Sequence, residues 1–196
     1  MQMLLKKESC LQTIKGSRFI ALAYPVSSHE TAKEILEDIK IQHPKANHHC
    51  FAWRLANGEE RMSDDGEPRG SAGAPILKRL ISKNCVQTMV VVIRYFGGTK
   101  LGIGGLIRAY GGVAQEVLEQ STFTPFEERM IVAFSYEYSD SNTVSYVLSL
   151  IENAIENQVF TDKVALEVSI KKQDYEELIE RLYSESSGRI QAVVLK

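Results

Sequence analysis

The residues best suited to bind an anion lie in one glycine-rich segment, Arg94 to Gly105, of the 196-residue chain. A strongly apolar stretch, Thr88 to Phe96, runs into this segment, and an amphipathic pattern follows it, so we predict a strand, a loop and a helix. Main-chain N–H groups of such a loop can converge on a phosphate, with the positive end of the helix behind them. The candidate nucleic-acid or anion-binding residues are Arg94, Tyr95, Gly97, Gly98, Lys100, Gly102, Gly104, Gly105 and Arg108.

The segment departs from the standard nucleotide-binding motifs. A Walker A loop needs Ser or Thr directly after its lysine, whereas Leu101 follows Lys100. A dinucleotide fingerprint that began at Gly102 would need a third glycine where Ile107 stands. Binding of an anion or an RNA backbone therefore competes with a structural explanation, in which the glycines allow a strand and a helix to pack closely.

Aromatic residues at the end of the apolar stretch suggest a stacking surface next to cations. Alternation along a strand puts Arg94 and Phe96 on one face and Tyr95 on the other. At least one of the two rings is therefore expected in the core rather than on a platform for bases.

A second group of candidate residues is the run His48, His49 and Cys50. On a strand, His48 and Cys50 share a face, where they could contribute to a zinc site or form a Cys–His nucleophilic pair. A metal needs further ligands that the spacing does not supply, so we favour a polar strand edge beside a buried cysteine. We expect no metal and no cofactor.

Three carboxylates within four residues mark the loop from Ser63 to Gly73. They could hold a divalent cation or serve in acid–base chemistry, although oxygen ligands do not recur at calcium-loop spacing. The glycines and proline indicate an ordered turn, and an aspartate in it could accept hydrogen bonds from main-chain amides. Structural support, recognition and catalysis all stay open for this loop. The candidate surface residues are His48, His49, Asp64, Asp65, Glu67 and Arg69.

The elements that must position these residues divide the chain near Ser121 to Pro125, where a polar stretch ending in proline follows a long helix. We therefore expect domains over residues 1–122 and 126–196. In the second domain the order strand, helix, strand, strand, helix, strand is that of the ferredoxin-like βαββαβ sandwich. The first domain mixes strands and helices around the buried strand at 88–96, so the predicted fold class is α+β.

Composition excludes several classes of protein. Hydrophobic residues make up 44% and charged residues 24%, as in ordinary globular proteins and unlike disordered or collagen-like chains. No apolar run approaches the ~18 residues of a membrane span, and Lys6, Lys7 and Glu8 stand where a signal peptide would have its apolar core. Three widely spaced cysteines argue against a disulfide framework, so we expect a cytoplasmic chain without a membrane partner.

The charge is unevenly distributed. The net charge of -2 argues against a strongly basic nucleic-acid binder. Residues 1–125, however, hold 16 Lys and Arg against 12 Asp and Glu, whereas residues 126–196 hold 7 against 13. A basic first part and an acidic second part fit two units with different surfaces.

Three stretches, HHCFAW, SDDGEPRGSAGAPIL and VVVIRYFGGTKLGIGGLIRAYG, resemble in order and spacing the IMPACT/YigZ family, and GSRFIA fits its opening strand. The resemblance covers about residues 1–120, and the predicted tail matches the bacterial two-domain form. It implies that the first domain is an α/β sandwich like the second domain of ribosomal protein S5 and the fourth domain of elongation factor G. It also implies that the ferredoxin-like tail is similar to the fifth domain of that factor.

The tandem therefore resembles a translation-factor module that contacts the ribosome. Eukaryotic IMPACT relatives act in translational control by competing for an activator of a kinase that phosphorylates an initiation factor. The sequence shows no counterpart of their RWD-type partner-binding domain, so that mechanism is not carried over. We expect a non-enzymatic regulator of translation that binds RNA or the ribosome through Arg94, Lys100, Arg108 and the glycine loop, without base readout.

Two alternatives belong to other classes of protein. The first is a small-substrate hydrolase or phosphate-handling enzyme, which would use the carboxylates of the 63–73 loop with His48 or His49. The second is an adaptor whose acidic C-terminal domain meets a basic protein partner.

Overall fold

The computed structural model describes residues 1–195, so Lys196, the last residue of the expected second domain, lies outside the described residues. The chain divides into two units, Met1–Phe126 and Glu127–Lys196. Within residues 1–195, no helix combines the length and the apolar character needed to cross a membrane.

The first unit is built around a mixed set of strands and helices. Its strands are β1 (Gln2–Leu4), β2 (Glu8–Ile14), β3 (Ser17–Pro25), β4 (His48–Arg54), β5 (Glu60–Ser63), β6 (Thr88–Tyr95) and β7 (Phe123–Pro125). Its helices are α1 (His29–Gln42), α2 (Gly73–Ser82) and α3 (Gly102–Gln120). The helix predicted after the glycine-rich segment begins at Gly102, inside that segment.

The main sheet has the order β2-β3-β6-β4-β5, with each neighbouring pair antiparallel. The apolar residues of β6 are buried on both faces, which confirms the predicted buried central strand. Val90 and Val92 pack with the buried faces of α2 and α3, whereas Met89 and Val91 pack with that of α1. The sheet is thus the middle layer of an α/β sandwich, and β1 pairs separately with β7.

Two glycines in the middle of α3 have different surroundings. A Cβ atom at Gly111 would lie 3.5 Å from the Arg79 guanidinium, and Arg79 Nε donates a hydrogen bond to the Gly111 carbonyl over 3.2 Å. Arg79 therefore links α2 to α3 at Gly111, where an added Cβ atom would make only ordinary van der Waals contacts. Gly112 faces open space.

The second unit has the ferredoxin-like order predicted from the sequence. Its elements are β8 (Arg129–Tyr136), α4 (Ser141–Ser149), β9 (Asn153–Phe160), β10 (Val164–Lys171), α5 (Tyr175–Glu185) and β11 (Ala192–Val194). The antiparallel sheet runs β11-β8-β10-β9, and one apolar cluster joins its inner face to α4 and α5. An α/β sandwich followed by a ferredoxin-like unit is the α+β architecture expected from the sequence.

Candidate functional site

The candidate residues of the first unit lie together at one end of the strands of the main sheet, which we call the sheet edge. In the strand registers His48 is opposite Arg94, and Arg18 is opposite Tyr95, so β3 and β4 begin where β6 ends. The loop that leads to α3 leaves β6 at this edge, and Arg94 contacts Glu67 of the 63–73 loop there. The glycine segment, the histidines and the acidic loop are therefore neighbours.

The start of the glycine loop is fixed by side chains from other elements. Asn47 Oδ1 accepts a hydrogen bond from the Phe96 amide over 2.8 Å, and Ser17 Oγ accepts one from the Gly97 amide over 3.1 Å. A Cβ atom at Gly97 would lie 1.9 Å from the carbonyl carbon of Gly16, so only glycine fits between the loop and the β2–β3 turn. The structure thus shows a packing role for Gly97.

The middle of the loop is open to a ligand. Among the hydrogen bonds of residues 1–195, none has a donor in the main-chain N–H groups of residues 98–101. Gly98 and Gly102 adopt φ angles of +86° and +72°, which place the loop in a conformation that favours glycine. These amides precede the N-terminus of α3, where the helix dipole favours an anion.

Two of the predicted cations lie exposed beside these amides. Lys100 is in the loop itself, and Arg108 is on the second turn of α3 close to Gly104. Within the described part of the chain, neither side chain forms an ion pair. Lys100, Arg108, Gly98, Gly102, Gly104 and Gly105 therefore stay proposed contacts for a phosphate.

Arg94 has a different role from the one we expected. Its side chain is only 6% exposed, and it donates to Glu67 Oε1 over 2.6 Å and to Ser17 Oγ over 3.3 Å. Its guanidinium also lies between the rings of Phe19 and Phe96, about 5.5 Å from each. Arg94 thus joins the glycine loop to the acidic loop from inside the protein and does not offer its charge to solvent.

Tyr95 points to the opposite face of the sheet, as the alternation predicts. Its hydroxyl lies 2.9 Å from His43 Nδ1, and the Arg18 guanidinium lies over its ring. Partial burial and the positive charges of His49, Arg18 and Lys7 lower the pKa of His43. Tyr95 is therefore a support for α1 rather than a residue of the glycine loop's anion site.

Asp64 acts as an internal brace of the acidic loop. Its carboxylate accepts hydrogen bonds from the amides of Gly70, Ala72 and Gly73 over 2.7, 3.0 and 2.9 Å. Burial works to raise the pKa of Asp64, but these amides and the charge of Arg69 outweigh it and hold the pKa below its usual value. Because Ala72 and Gly73 open α2, Asp64 also caps that helix.

Two further residues that we expected on the surface are buried. Glu67 has a 4% exposed side chain and accepts a hydrogen bond from Tyr110 Oη over 2.8 Å as well as the one from Arg94. His49 is 9% exposed, its amide donates to Asp65 Oδ2, and its Nε2 donates to the His43 carbonyl. Each is enclosed because its polar atoms are bonded to neighbouring elements.

His48 and Asp65 lie nearer to solvent, and Arg69 is exposed on the same loop. His48 Nδ1 donates to the Asp65 carbonyl over 2.8 Å, which leaves its Nε2 3.8 Å from Glu67 Oε1. The three acidic side chains are thus committed to amides, Arg94 and Tyr110, and they do not converge on a common point. This arrangement does not favour acid–base catalysis by the loop.

Cys50 is equally unsuited to act as a nucleophile. Burial raises the pKa of its thiol to about 12, so it stays protonated at neutral pH. Its Sγ donates to the Asp64 carbonyl over 3.0 Å.

Among residues 1–195, no group of three or more His, Cys, Asp or Glu side chains is arranged to hold a metal ion.

Sequence reasoning missed the residues that support the loop: Ser17, Asn47 and Tyr110. Tyr110 lies on the buried, apolar face of α3, where its ring packs in the core and its hydroxyl donates to Glu67. A tyrosine on a buried helix face needs a polar partner. That requirement was the available signal for a buried carboxylate such as Glu67.

The chain is similar to a described family and to known proteins. The family model described as the Impact N-terminal domain matches residues 15–118. The IMPACT family member YigZ of Escherichia coli (strain K12) is 33% identical over 193 residues, which cover 95% of this chain and 93% of that protein.

Solved structures extend the comparison. The crystal structure of a hypothetical protein is 31% identical, covers 100% of this chain and 97% of its own, and has a TM-score of 0.76. Yih1, described as a two-domain translational regulator, is 28% identical with a TM-score of 0.39, covering 58% of this chain and 45% of that chain.

Proposed function

The chain belongs to the IMPACT family, and from that premise we propose that it regulates translation by binding RNA, on the ribosome or free, through the basic edge of its first unit. The contacts are to phosphates and not to base edges. The translational role is carried over from the family resemblance of the three motif stretches. The proposal sets the protein in the cytoplasm, without a membrane partner.

The charge at the sheet edge supports a polyanionic partner. Residues 15–18, 42–48, 64–70 and 94–108, at or beside this edge, contain seven Lys and Arg but three Asp and Glu. Asp64 and Glu67 are bonded inside the protein, which leaves the exposed cations Lys15, Arg18, Lys45, Arg69, Lys100 and Arg108 to dominate. The overall net charge of -2 hides this patch because the acidic residues are concentrated in the second unit.

One observation carries the proposal: the main-chain amides of residues 98–101 have no hydrogen-bond acceptor among residues 1–195, and the exposed cations Lys100 and Arg108 lie on the same loop and the following helix. Main-chain donors at a helix N-terminus bind phosphate oxygens without reading a sequence. The buried pair of Arg94 and Glu67 holds the loop in this shape. Arg94 is therefore a positioning residue in the proposal.

The test is co-sedimentation with ribosomal subunits, and binding to single-stranded RNA, between about 50 and 200 mM salt. Affinity falls as the salt concentration rises, and each phosphate contact makes the slope of log affinity against log salt steeper by about 0.7 to 0.9. We expect the Lys100→Ala/Arg108→Ala variant to bind more weakly and to lose about 1.4 to 1.8 from that slope.

The matched control removes two exposed lysines away from the loop, Lys33→Ala/Lys78→Ala. It should keep the slope of the unaltered protein within about 0.5. An affinity that does not change with salt, or the same loss in control and test variants, contradicts the proposal.

The acidic second unit does not favour RNA, and a basic protein partner for it stays a prediction. A pull-down of a candidate partner by the full chain but not by residues 1–126 would support that contact.

A further inference from the structure

A cavity of about 310 Å³ opens next to the glycine loop, between the acidic loop and the first turns of α3. Pro68, Phe96, Ile103 and Leu106 contribute apolar walls, and Lys100 contributes a cation. Phe96 and Ile103 are 46% and 60% exposed, so both side chains can contact a molecule in the cavity. The cavity therefore offers apolar contact and positive charge together.

Size limits what the cavity can hold. Pockets for small molecules span about 300 to 1,000 Å³, so this one is at the lower end of that range. It has room for one ring system with its attached group, and not for a run of stacked bases.

Arg94 supplies an independent sign that the cavity is incomplete without a ligand. The residue lines the cavity and is 5% exposed. Two nitrogens of its guanidinium have partners, but Nε is buried and has no hydrogen-bond partner among residues 1–195. A buried charged donor without an acceptor is costly, and such atoms in native proteins call for an explanation.

The Phe96 ring covers the guanidinium at 5.5 Å. Phe96 and Arg94 both line the cavity, so a ligand there would meet an aromatic ring beside a buried guanidinium. The walls are therefore suited to a flat ligand that carries hydrogen-bond acceptors and is joined to an anion.

We propose that this cavity binds a single nucleotide, with its base against Phe96 and Ile103 and its phosphate at Lys100 and the amides of residues 98–101. Where the nucleotide belongs to an RNA strand, with its base unstacked, this inference rests on the proposed function. A free mononucleotide has the same chemistry and would occupy the same place. A bare phosphate would leave the apolar walls unused, and an uncharged ring would leave the loop amides unused.

The experiment is isothermal titration of the full chain with AMP, UMP, inorganic phosphate and a hexauridylate RNA. Base–aromatic stacking contributes enough that Phe96→Ala should weaken nucleotide and RNA binding about 5- to 150-fold. Phe96→Trp keeps a stacking ring and should retain binding. Lys100→Ala should weaken AMP and phosphate together.

The matched controls are Tyr146→Ala, an exposed aromatic residue on α4, and Lys78→Ala on α2, and both should bind as the unaltered protein does. Thermal melts establish that each variant is folded. Equal affinities for phosphate and AMP, or an unchanged AMP affinity in Phe96→Ala, overturn the nucleotide site.

The outcomes separate this site from the proposed function. AMP binding that depends on Phe96, with no binding to RNA or ribosomal subunits, supports the cavity as a site for free nucleotides and counts against the translational role. Salt-dependent ribosome binding that is unchanged in Phe96→Ala, with no mononucleotide binding, supports the role and overturns the cavity site.

Discussion

Asp64 and Glu67 are carboxylates of one short loop, but they bond to different parts of the first unit. Asp64 turns inward to three amides of its own loop, whereas Glu67 reaches Arg94 on β6 and Tyr110 on α3. Both are held by donors, so the loop is a rigid connection between β5, β6 and the two helices. The two carboxylates fix the position of the loop through internal hydrogen bonds. The exposed cations nearby therefore have no ion-pair partner in Asp64 or Glu67.

We predict that Asp64→Asn lowers the free energy of unfolding by about 2 kcal/mol at pH 7, because charge-assisted bonds to three amides and a helix cap are weakened. The pKa of Asp64 is held below its usual value, so its contribution is present above pH ~4 and is lost as pH falls through the folded-state pKa. The difference between the two proteins in urea unfolding should therefore shrink in acid.

The matched control is Asp38→Asn, which removes an exposed carboxylate from α1 and should change stability by less than about 0.5 kcal/mol. A difference between Asp64→Asn and the unaltered protein that persists unchanged down to pH 2 would contradict the structural role.

Sequence reasoning located these residues but not their partners. The spacing of the loop indicated an ordered turn and a capping aspartate, and both are present. The pairing of Glu67 with Arg94 joins residues 27 positions apart and depends on how β6 and the loop are placed in space. The burial of Arg94, Glu67 and His49 could not be predicted from the sequence, because a one-dimensional pattern does not show which polar groups bond to each other.

At the scale of elements, the β2–β3 turn and the loop after β6 are fitted to each other. Gly16 and Gly97 meet backbone to backbone, and Ser17 bonds both the Gly97 amide and Arg94. This contact fixes the path of the chain from the central strand to α3. The structural explanation for the glycines therefore applies to Gly97, while Gly98 and Gly102 serve the conformation of the open loop.

We predict that Gly97→Ala destabilises the protein by at least about 3 kcal/mol, because its Cβ would overlap the backbone of Gly16. Gly112→Ala is the matched control in α3: its side chain would meet open space, and alanine should stabilise the helix by about 0.5 to 1 kcal/mol. Urea unfolding of the two variants measures both signs. Destabilisation of similar size in both would show that helix propensity, and not the contact with Gly16, decides the outcome.

Long elements were predicted better than short ones. Ser28 caps α1, since its Oγ accepts from the Thr31 amide. Asp140 precedes α4 in the same way but does not cap it, because its carboxylate is bonded by Arg189 from another part of the second unit. The short strands β1 and β7 were missed because three residues carry no periodicity, and their pairing joins positions about 120 residues apart.

At the scale of the whole molecule, the first unit ends only after β7. Leu4 of β1 is fully buried, and Phe123 of β7 packs against the same core. The Leu5 amide bonds to the Thr122 carbonyl, and the Phe126 amide bonds to that of Met1. A fragment that stops at residue 122 therefore loses the partner strand of β1.

We predict that the fragment 1–126 unfolds at a higher urea concentration than the fragment 1–122, with a difference in unfolding free energy of about 2 kcal/mol from the lost strand and the Phe123 ring. A third fragment, 1–126 with Phe123→Ala, separates the contribution of the ring from that of the strand. Identical midpoints for 1–126 and 1–122 would mean that β7 does not stabilise the unit.

The pairing of β1 with β7 also determines when the first unit can be completed during translation. Residues 2–4 leave the ribosome more than a hundred residues before their partner strand, so this pairing forms only after residue 125 has cleared the exit tunnel. Completion of the nascent first unit therefore depends on the arrival of a three-residue strand, and a stalled chain that ends before it would leave the ladder between β1 and β7 unformed.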